Sequence, residues 1–285
     1  MDIHIVPGVK AKDVAEAHRK DLLFQNEHKC NCMTYWIDEE RGNIFCLIEA
    51  PNKEAVEEMH GEAHGMIPNK IIEVSNTVVE SFLGRIYDPV NAQTTTDGLK
   101  VFSDPSFRTL LVTQITDPIL LQYKLGAEKA NELLQRHNEL VRKTLSQFEG
   151  REVEHGGTGF IVSFESASQA VSCALAIQKD MPASDIDSTG FRMGINAGVA
   201  IEKSNQLFGD TLLLASNLGT IAKKSQIAVT SPVKERVSKD YFQSHKNHFL
   251  ALAPQDETFF ELLLSRLEEN CQDPDFDITG YCQAM

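Results

Sequence analysis

Apolar and polar positions alternate from Met1 to Val6 and the alternation stops at Pro7-Gly8, which predicts an opening strand. Asp13 is placed to cap a helix from Val14 to about Asn26, with Val14, Ala17, Leu22 and Phe24 among its apolar positions. Cys32 to Ile37 and Ile44 to Ala50 read as strands, and the acidic turn Asp38–Asn43 between them reads as a hairpin. Asn52 starts a second helix through His64, and Lys70 to Val74 is a further strand. Residues 75–108 carry two Asp-Pro steps, a Thr-Thr-Thr-Asp-Gly run and no long periodic segment, so a partly ordered linker with a loop at Gln93–Gly98 is expected.

Periodicity resumes at Arg108. An apolar strand to Ile115 precedes a long helix from about Gly126 to Phe148, with Leu133, Leu134, His137, Leu140, Val141 and Leu145 near helical spacing. Strands at Arg151–Glu154 and Phe160–Phe164 turn through glycines, and Ser166 caps a helix from Ala167 to Lys179. Then come a strand at Phe191–Ala197, a helix at Gly209–Ala222, a strand at Ile227–Thr230, a helix near Pro232 and an amphipathic segment at Thr258–Leu267. The expected fold class is α+β, with two ferredoxin-like β-α-β-β-α-β domains. The expected boundaries are 1–76, a linker at 77–107, a second domain at 108–240 and a C-terminal helical tail at 241–285.

Composition changes this picture little: 42% hydrophobic and 24% charged is a globular balance. Charge changes it more. The 41 acidic residues exceed the 27 basic ones, for a net charge of -14. That balance argues against nonspecific nucleic-acid binding and against an anionic membrane surface as partners. The start of the chain has no basic region followed by an apolar run, and no stretch approaches the ~20 apolar residues of a membrane span. The six cysteines are dispersed apart from Cys30 and Cys32, so a cytosolic, reduced protein is expected.

The first half holds metal-ligand chemistry. His60 and His64 are four apart on a helix, which places both imidazoles on one face within reach of one ion. His18 lies on the other helix with Asp21 three residues later, and His4 on the first strand. Imidazole with carboxylate suits nickel or zinc. Cys30 and Cys32 point to one side of a strand and Cys46 sits in an apolar run. Packing competes with ligation as the role of all three thiols.

The second half resembles the class III nucleotide cyclases over roughly Leu110 to Val237. The residues that carry the likeness are Arg136–Arg142 (RHNELVR), Gly150–Val153 (GREV), Gly157–Phe160 (GTGF), Ser166–Gln178 (SASQAVSCALAIQ), Arg192–Gly198 (RMGINAG) and Phe208-Gly209-Asp210. The resemblance implies the cyclase fold and a head-to-tail dimer with its site across the interface. It also implies where chemistry would sit. The two metal carboxylates of the family fall at Gln114 and Thr158, and its transition-state Asn and Arg at Leu213 and Asn217. Its base-reading Lys falls at Glu154, with the partner Asp near Gln206. Neutral side chains cannot offset Mg²⁺ or Mn²⁺, so no such ion is expected here, and an Asn cannot neutralise phosphate charge as Arg does. Asp117, Glu154, Glu165 and Asp210 read as solvated or capping acids rather than replacements, and His155 as a surface or hydrogen-bonding group.

The first half in turn resembles a small nickel-binding-protein family over residues 1–75. Asp2-Ile3-His4, Glu16–Gln25, Phe45–Pro51, Met59–Gly65 and Ile71–Val74 carry the likeness, which implies a ferredoxin-like fold, often dimeric, with His-rich metal sites. The leading expectation is a non-catalytic binding or sensory protein, a homodimer. In it a module binding nickel or zinc through His4, His18, His60 and His64 is joined to a cyclase-like domain without catalytic residues. A small ligand or protein partner remains unspecified. Two alternatives stand beside it: an active cyclase with rebuilt catalysis, and a metal-handling protein that its second domain merely dimerises.

Overall fold

The structure is a computed structural model that describes residues 1–115, 118–157, 159–222, 226–245 and 247–252. The chain divides into two compact units. The first is Met1–Arg108 together with Gly198–Asp210, and the second is the remainder.

In the first unit, β1 (Asp2–Ile5), α1 (Ala11–Phe24), β2 (Asn31–Asp38), β3 (Asn43–Glu49), α2 (Lys53–Ala63) and β4 (Lys70–Ile71) follow in sequence. The sheet order is β2-β3-β1-β4, all antiparallel, which is the ferredoxin-like plan. Local chemistry sets the helix starts. The Asn52 carboxamide oxygen accepts from Ala55 N at 2.9 Å to cap α2, and Asp13 accepts from Lys10 N at 3.1 Å to start α1. Helix α1 buries Val14, Ala15, His18 and Asp21 as one stripe. Two polar residues in that stripe are unusual: Asp21 faces the centre described below, and His18 faces Asp88.

Residues 77–107 are not the linker the pattern predicts. Helix α3 (Asn76–Leu83) is capped by Ser75 and ends on left-handed Gly84, and a small hairpin pairs β5 (Gln93–Thr94) with β6 (Lys100–Val101). Leu99 and Phe102 join the core of Val14, Tyr35, Ile37 and Ile44, with the Phe102 ring stacked 4.0 Å from Tyr35. Arg85 clips the segment down by donating to Tyr35 O at 2.7 Å and lying over the Trp36 and Phe102 rings. Few apolar residues, spread without a period, do this packing, so pattern alone could not find it. Strand β4 is shorter than expected, two residues against five.

The second unit starts on β7 (Arg108–Gln114), whose Leu110, Leu111 and Val112 are buried. Then come α4 (Pro118–Leu125), α5 (Ala127–Gln147), β8 (Arg151–Gly156), β9 (Gly159–Phe164), α6 (Ala167–Asp180), α7 (Ala183–Thr189), β10 (Arg192–Gly198) and α8 (Gly209–Ile221). The chain continues through β11 (Ile227–Thr230), α9 (Ser231–Glu235), α10 (Lys239–Ser244) and β12 (Phe249–Leu252). Its sheet order is β12-β11-β10-β7-β9-β8. The part β10-β7-β9-β8 repeats the ferredoxin-like order, and β11 and β12 extend it in parallel. Two glycines of the recognised motifs have steric reasons. A Cβ on Gly159 would sit 1.8 Å from Thr113 O, and one on Gly194 would sit 2.0 Å from Ala215 O. Helix α4 and strand β12 were not foreseen. In α4 only Leu121 is buried, so it has no apolar stripe. In β12 the four residues pair parallel to β11 where a helical tail was expected. The Thr258–Leu267 segment lies outside the described residues.

Candidate metal centre

Four elements of the first unit bring titratable side chains to one place. Alternation along β1 puts Asp2 and His4 on the same sheet face, and Cys46 of β3 pairs with Asp2 in register. Asp21 comes from the buried stripe of α1, and His60 from the buried face of α2. His64 is the C-cap of α2, just past the last helical residue, so its imidazole still reaches back over the final turn.

His60 is the hub. Its Nε2 lies 3.1 Å from Asp2 Oδ2 and its Nδ1 3.1 Å from Asp21 Oδ1. Nδ1 is also 3.0 Å from His64 Nε2, which is itself 3.1 Å from the same Asp21 oxygen. His4 Nε2 stands 3.5 Å from Asp2 Oδ1, and its ring meets His60 edge-on at 4.9 Å. The side chains of Asp2, Asp21, His60 and His64 are each at most 5% exposed. Among the described residues, two groups could hold an ion: Asp2, His4, Cys46 and His60, and Asp21, His60 and His64.

Electrostatics separates the two groups. Burial opposes charge on His60, yet Asp2 and Asp21 on its two nitrogens outweigh it and push its pKa up to about 9. Burial likewise works against the Asp21 carboxylate, but hydrogen bonds from His60 and His64 bring it below the usual range. Burial lowers His4, only partly offset by Asp2. Burial, with Asp2 next, pushes the Cys46 thiol well above its ordinary value, so it stays protonated and is a poor ligand. Asp2 has a different use. By accepting from His60 Nε2–H it leaves Nδ1 as the nitrogen that can take an ion, the carboxylate–histidine arrangement common behind metals. Met66 N–H donates to His64 Nδ1 at 3.1 Å, so without an ion a neutral His64 carries its proton on Nε2, toward Asp21; an ion on Nε2 requires the proton to move to Nδ1 and the Met66 bond to be given up.

Three of the four histidines expected as ligands therefore meet, and His18 does not. Its Nε2 stands 3.6 Å from Asp88 Oδ2 and its ring packs on Tyr35, so the segment misread as a linker supplies its partner. The His60–His64 face is buried, because Asp21 of α1 and Asp2 of β1 lie against it. Asp2 and Asp21 carry as much of the site as the histidines. The D-x-H alternation and the polar pair in the α1 stripe were the signals for them. Cys30 and Cys32 pack with Ala55 and Met59, the Cys32 Sγ lying 3.5 Å from Met59 Sδ.

In the second unit, Gln114 Nε2 donates to Ser216 O of α8 at 3.0 Å. Its carboxamide lies against Gly219, which a Cβ would approach within 3.0 Å of Gln114 Oε1. Leu213 is 48% exposed, Asn217 is half-buried, and Glu154 is exposed on β8. The His155 ring lies 4.3 Å from the Phe160 ring. Thr158 and Asp117 fall outside the described residues. In the first unit Asp210 Oδ2 accepts from Lys203 N at 3.0 Å and Ser204 N at 2.8 Å.

Comparison with known proteins gives two likenesses along the chain. Residues 1–74 match the family described as nickel responsive protein SCO4226-like. The solved structure of SCO4226 from Streptomyces coelicolor A3(2) is 32% identical over 26% of this chain and 90% of its own, with a TM-score of 0.25. Putative adenylate cyclase 3 of Rhizobium meliloti is 30% identical over 110 residues, 37% of this chain and 19% of the relative. The chain thus spans about a fifth of the length of that curated relative. An adenylate cyclase structure from Trypanosoma brucei is 17% identical, covering 49% of this chain and 79% of its own at a TM-score of 0.42. Residues 1–74 are thus similar to the SCO4226-like nickel responsive proteins, and a further stretch of 110 residues is similar to a putative adenylate cyclase.

Proposed function

We propose that this is a metal-responsive binding protein whose centre is Asp21, His60 and His64, and whose cyclase-like half does not turn over nucleoside triphosphates. One observation carries the reading. Asp21 Oδ1, His60 Nδ1 and His64 Nε2 form a nearly equilateral triangle with edges of 3.0, 3.1 and 3.1 Å. These are also the spacings of hydrogen bonds in the metal-free triad, so the triangle brings three donors within reach of one ion, and imidazole with carboxylate suits Ni²⁺ or Zn²⁺. Such an ion would supply cross-linking between α1 and the end of α2 in place of protons. Asp2 orients His60, and His4 remains a neutral neighbour beside them.

The negative half of the proposal rests on Gln114. A carboxamide engaged with the α8 backbone brings no charge to a divalent ion, and Asn217 brings none to a phosphate. The test uses the full chain without a histidine tag. Calorimetry should give one nickel site at micromolar affinity or better. D21N should weaken it at least tenfold, about 1.4 kcal/mol. Absence of nickel binding at micromolar concentration, or nickel binding unchanged in D21N, would remove the proposed centre.

A further inference from the structure

We propose that segment 198–210 is the read-out of the N-terminal centre, held by Lys70 as a latch whose seating depends on the bound ion. The inference rests on the metal reading above and adds what the ion controls. The segment runs from the last residue of β10 to the first two residues of α8, yet it belongs to the first unit. Its anchor is one side chain. Lys70 Nζ donates to three consecutive carbonyls, Glu202 O at 3.1 Å, Lys203 O at 2.8 Å and Ser204 O at 2.6 Å. An ammonium has three protons, so this cradle uses all of its donor capacity.

The rest of the segment is built around that grip. The amides of Lys203 and Ser204 turn to Asp210 Oδ2 while their carbonyls turn to Lys70. Phe208, with φ of 55°, donates its N–H to Ala200 O at 2.8 Å and sets its ring 5.0 Å from Phe82 of α3. Ala200, Ile201, Leu207 and Phe208 are buried. Beyond Asp210 the chain continues in the first turns of α8, toward Leu213 and Asn217.

On its other side Lys70 belongs to the strand system of the centre. It pairs with Ile3, between Asp2 and His4, and Ile71 pairs with Asp2. Asn69 N donates to Ile3 O at 2.8 Å, and Asn69 Oδ1 accepts from Ile5 N at 2.7 Å. Strand β4 is only two residues long and lies at the sheet edge, so it opens at low free energy unless β1 holds it. Asp2 is bonded to His60, the hub of the centre. An ion on His60 and His64 fixes α2, α2 fixes Asp2, and β1 then presents a steadier edge to β4. Openings that unseat Lys70 become rarer, and segment 198–210 with them.

Hydrogen exchange of the full chain, read by mass spectrometry with and without NiCl₂, tests this. In the parent, nickel should slow exchange both in α2 and at residues 199–208, the latter by about threefold or more. In K70M, nickel should still protect α2, which also reports folding, while 199–208 exchanges fast in either condition. D210A, which loosens the segment without touching β4, should speed 199–208 and, because coupling is reciprocal, weaken nickel by no more than about the same threefold. Nickel protection confined to α2 in the parent overturns the coupling, as does K70M keeping the parent's response at 199–208. Nickel protecting neither region overturns the metal reading and the coupling together. Equal exchange of K70M and parent without nickel then overturns the latch itself.

Discussion

His60 presents its two ring nitrogens to two buried carboxylates, and this geometry fixes how the centre responds to protons. Its folded pKa of about 9 lies above the unfolded value of about 6.5. The stability it contributes is therefore fully present below about pH 6.5 and is lost as pH rises through about 9. Without added metal, urea midpoints should fall between pH 6.5 and 9.5 in the parent, and this slope should flatten in H60Q. Nickel affinity should move the other way. An ion on Nδ1 displaces that proton, so affinity should rise about tenfold per pH unit between 7 and 8, measurable by calorimetry at matched ionic strength. H64A should weaken nickel tenfold or more. Because the His64 side chain is 5% exposed, H64A also leaves a gap, and H64Q is the control that keeps the volume.

Among the elements, the hairpin of β5 and β6 is part of the core despite its loop-like sequence. Phe102 is 8% exposed and stacks on Tyr35. F102A should cost about 3–5 kcal/mol in chemical denaturation, whereas a tether would tolerate it. Gln114 ties β7 to α8. Q114D, which restores the family's carboxylate, turns an acceptor toward Ser216 O and should destabilise the second unit by about 1–3 kcal/mol without creating Mn²⁺ binding. Elements with a strong period, such as α1, α2, α5 and α6, were legible from the sequence within a few residues. Helix α4 was not, because it buries only Leu121 and so writes no stripe. Strand β12 was not, because its pairing partner β11 lies about twenty residues away in the chain.

For the whole molecule the expected output is binding and not turnover. No cyclic AMP or cyclic GMP should form from ATP or GTP with Mg²⁺ or Mn²⁺, because losing the charged ligands removes many orders of magnitude in rate. Product above a matched blank, abolished by E154Q, would falsify that expectation. The second unit exposes Ile119, Tyr123 and Leu213, and we expect a homodimer through it, seen as a concentration-dependent mass in sedimentation. The sequence by itself determined the two ferredoxin-like units, because strand and helix periods are local and their order along the chain is topology. It also determined that Gln114 is neutral and that His60 and His64 share a helical spacing. Only the tertiary structure decided which groups meet: Asp2 and Asp21 with those histidines, His18 with Asp88, and Lys70 with carbonyls more than a hundred residues away. Contacts between distant segments depend on packing that no local pattern records, and it is the meeting of His60 with the buried carboxylates Asp2 and Asp21, against the cost of burial, that holds its proton.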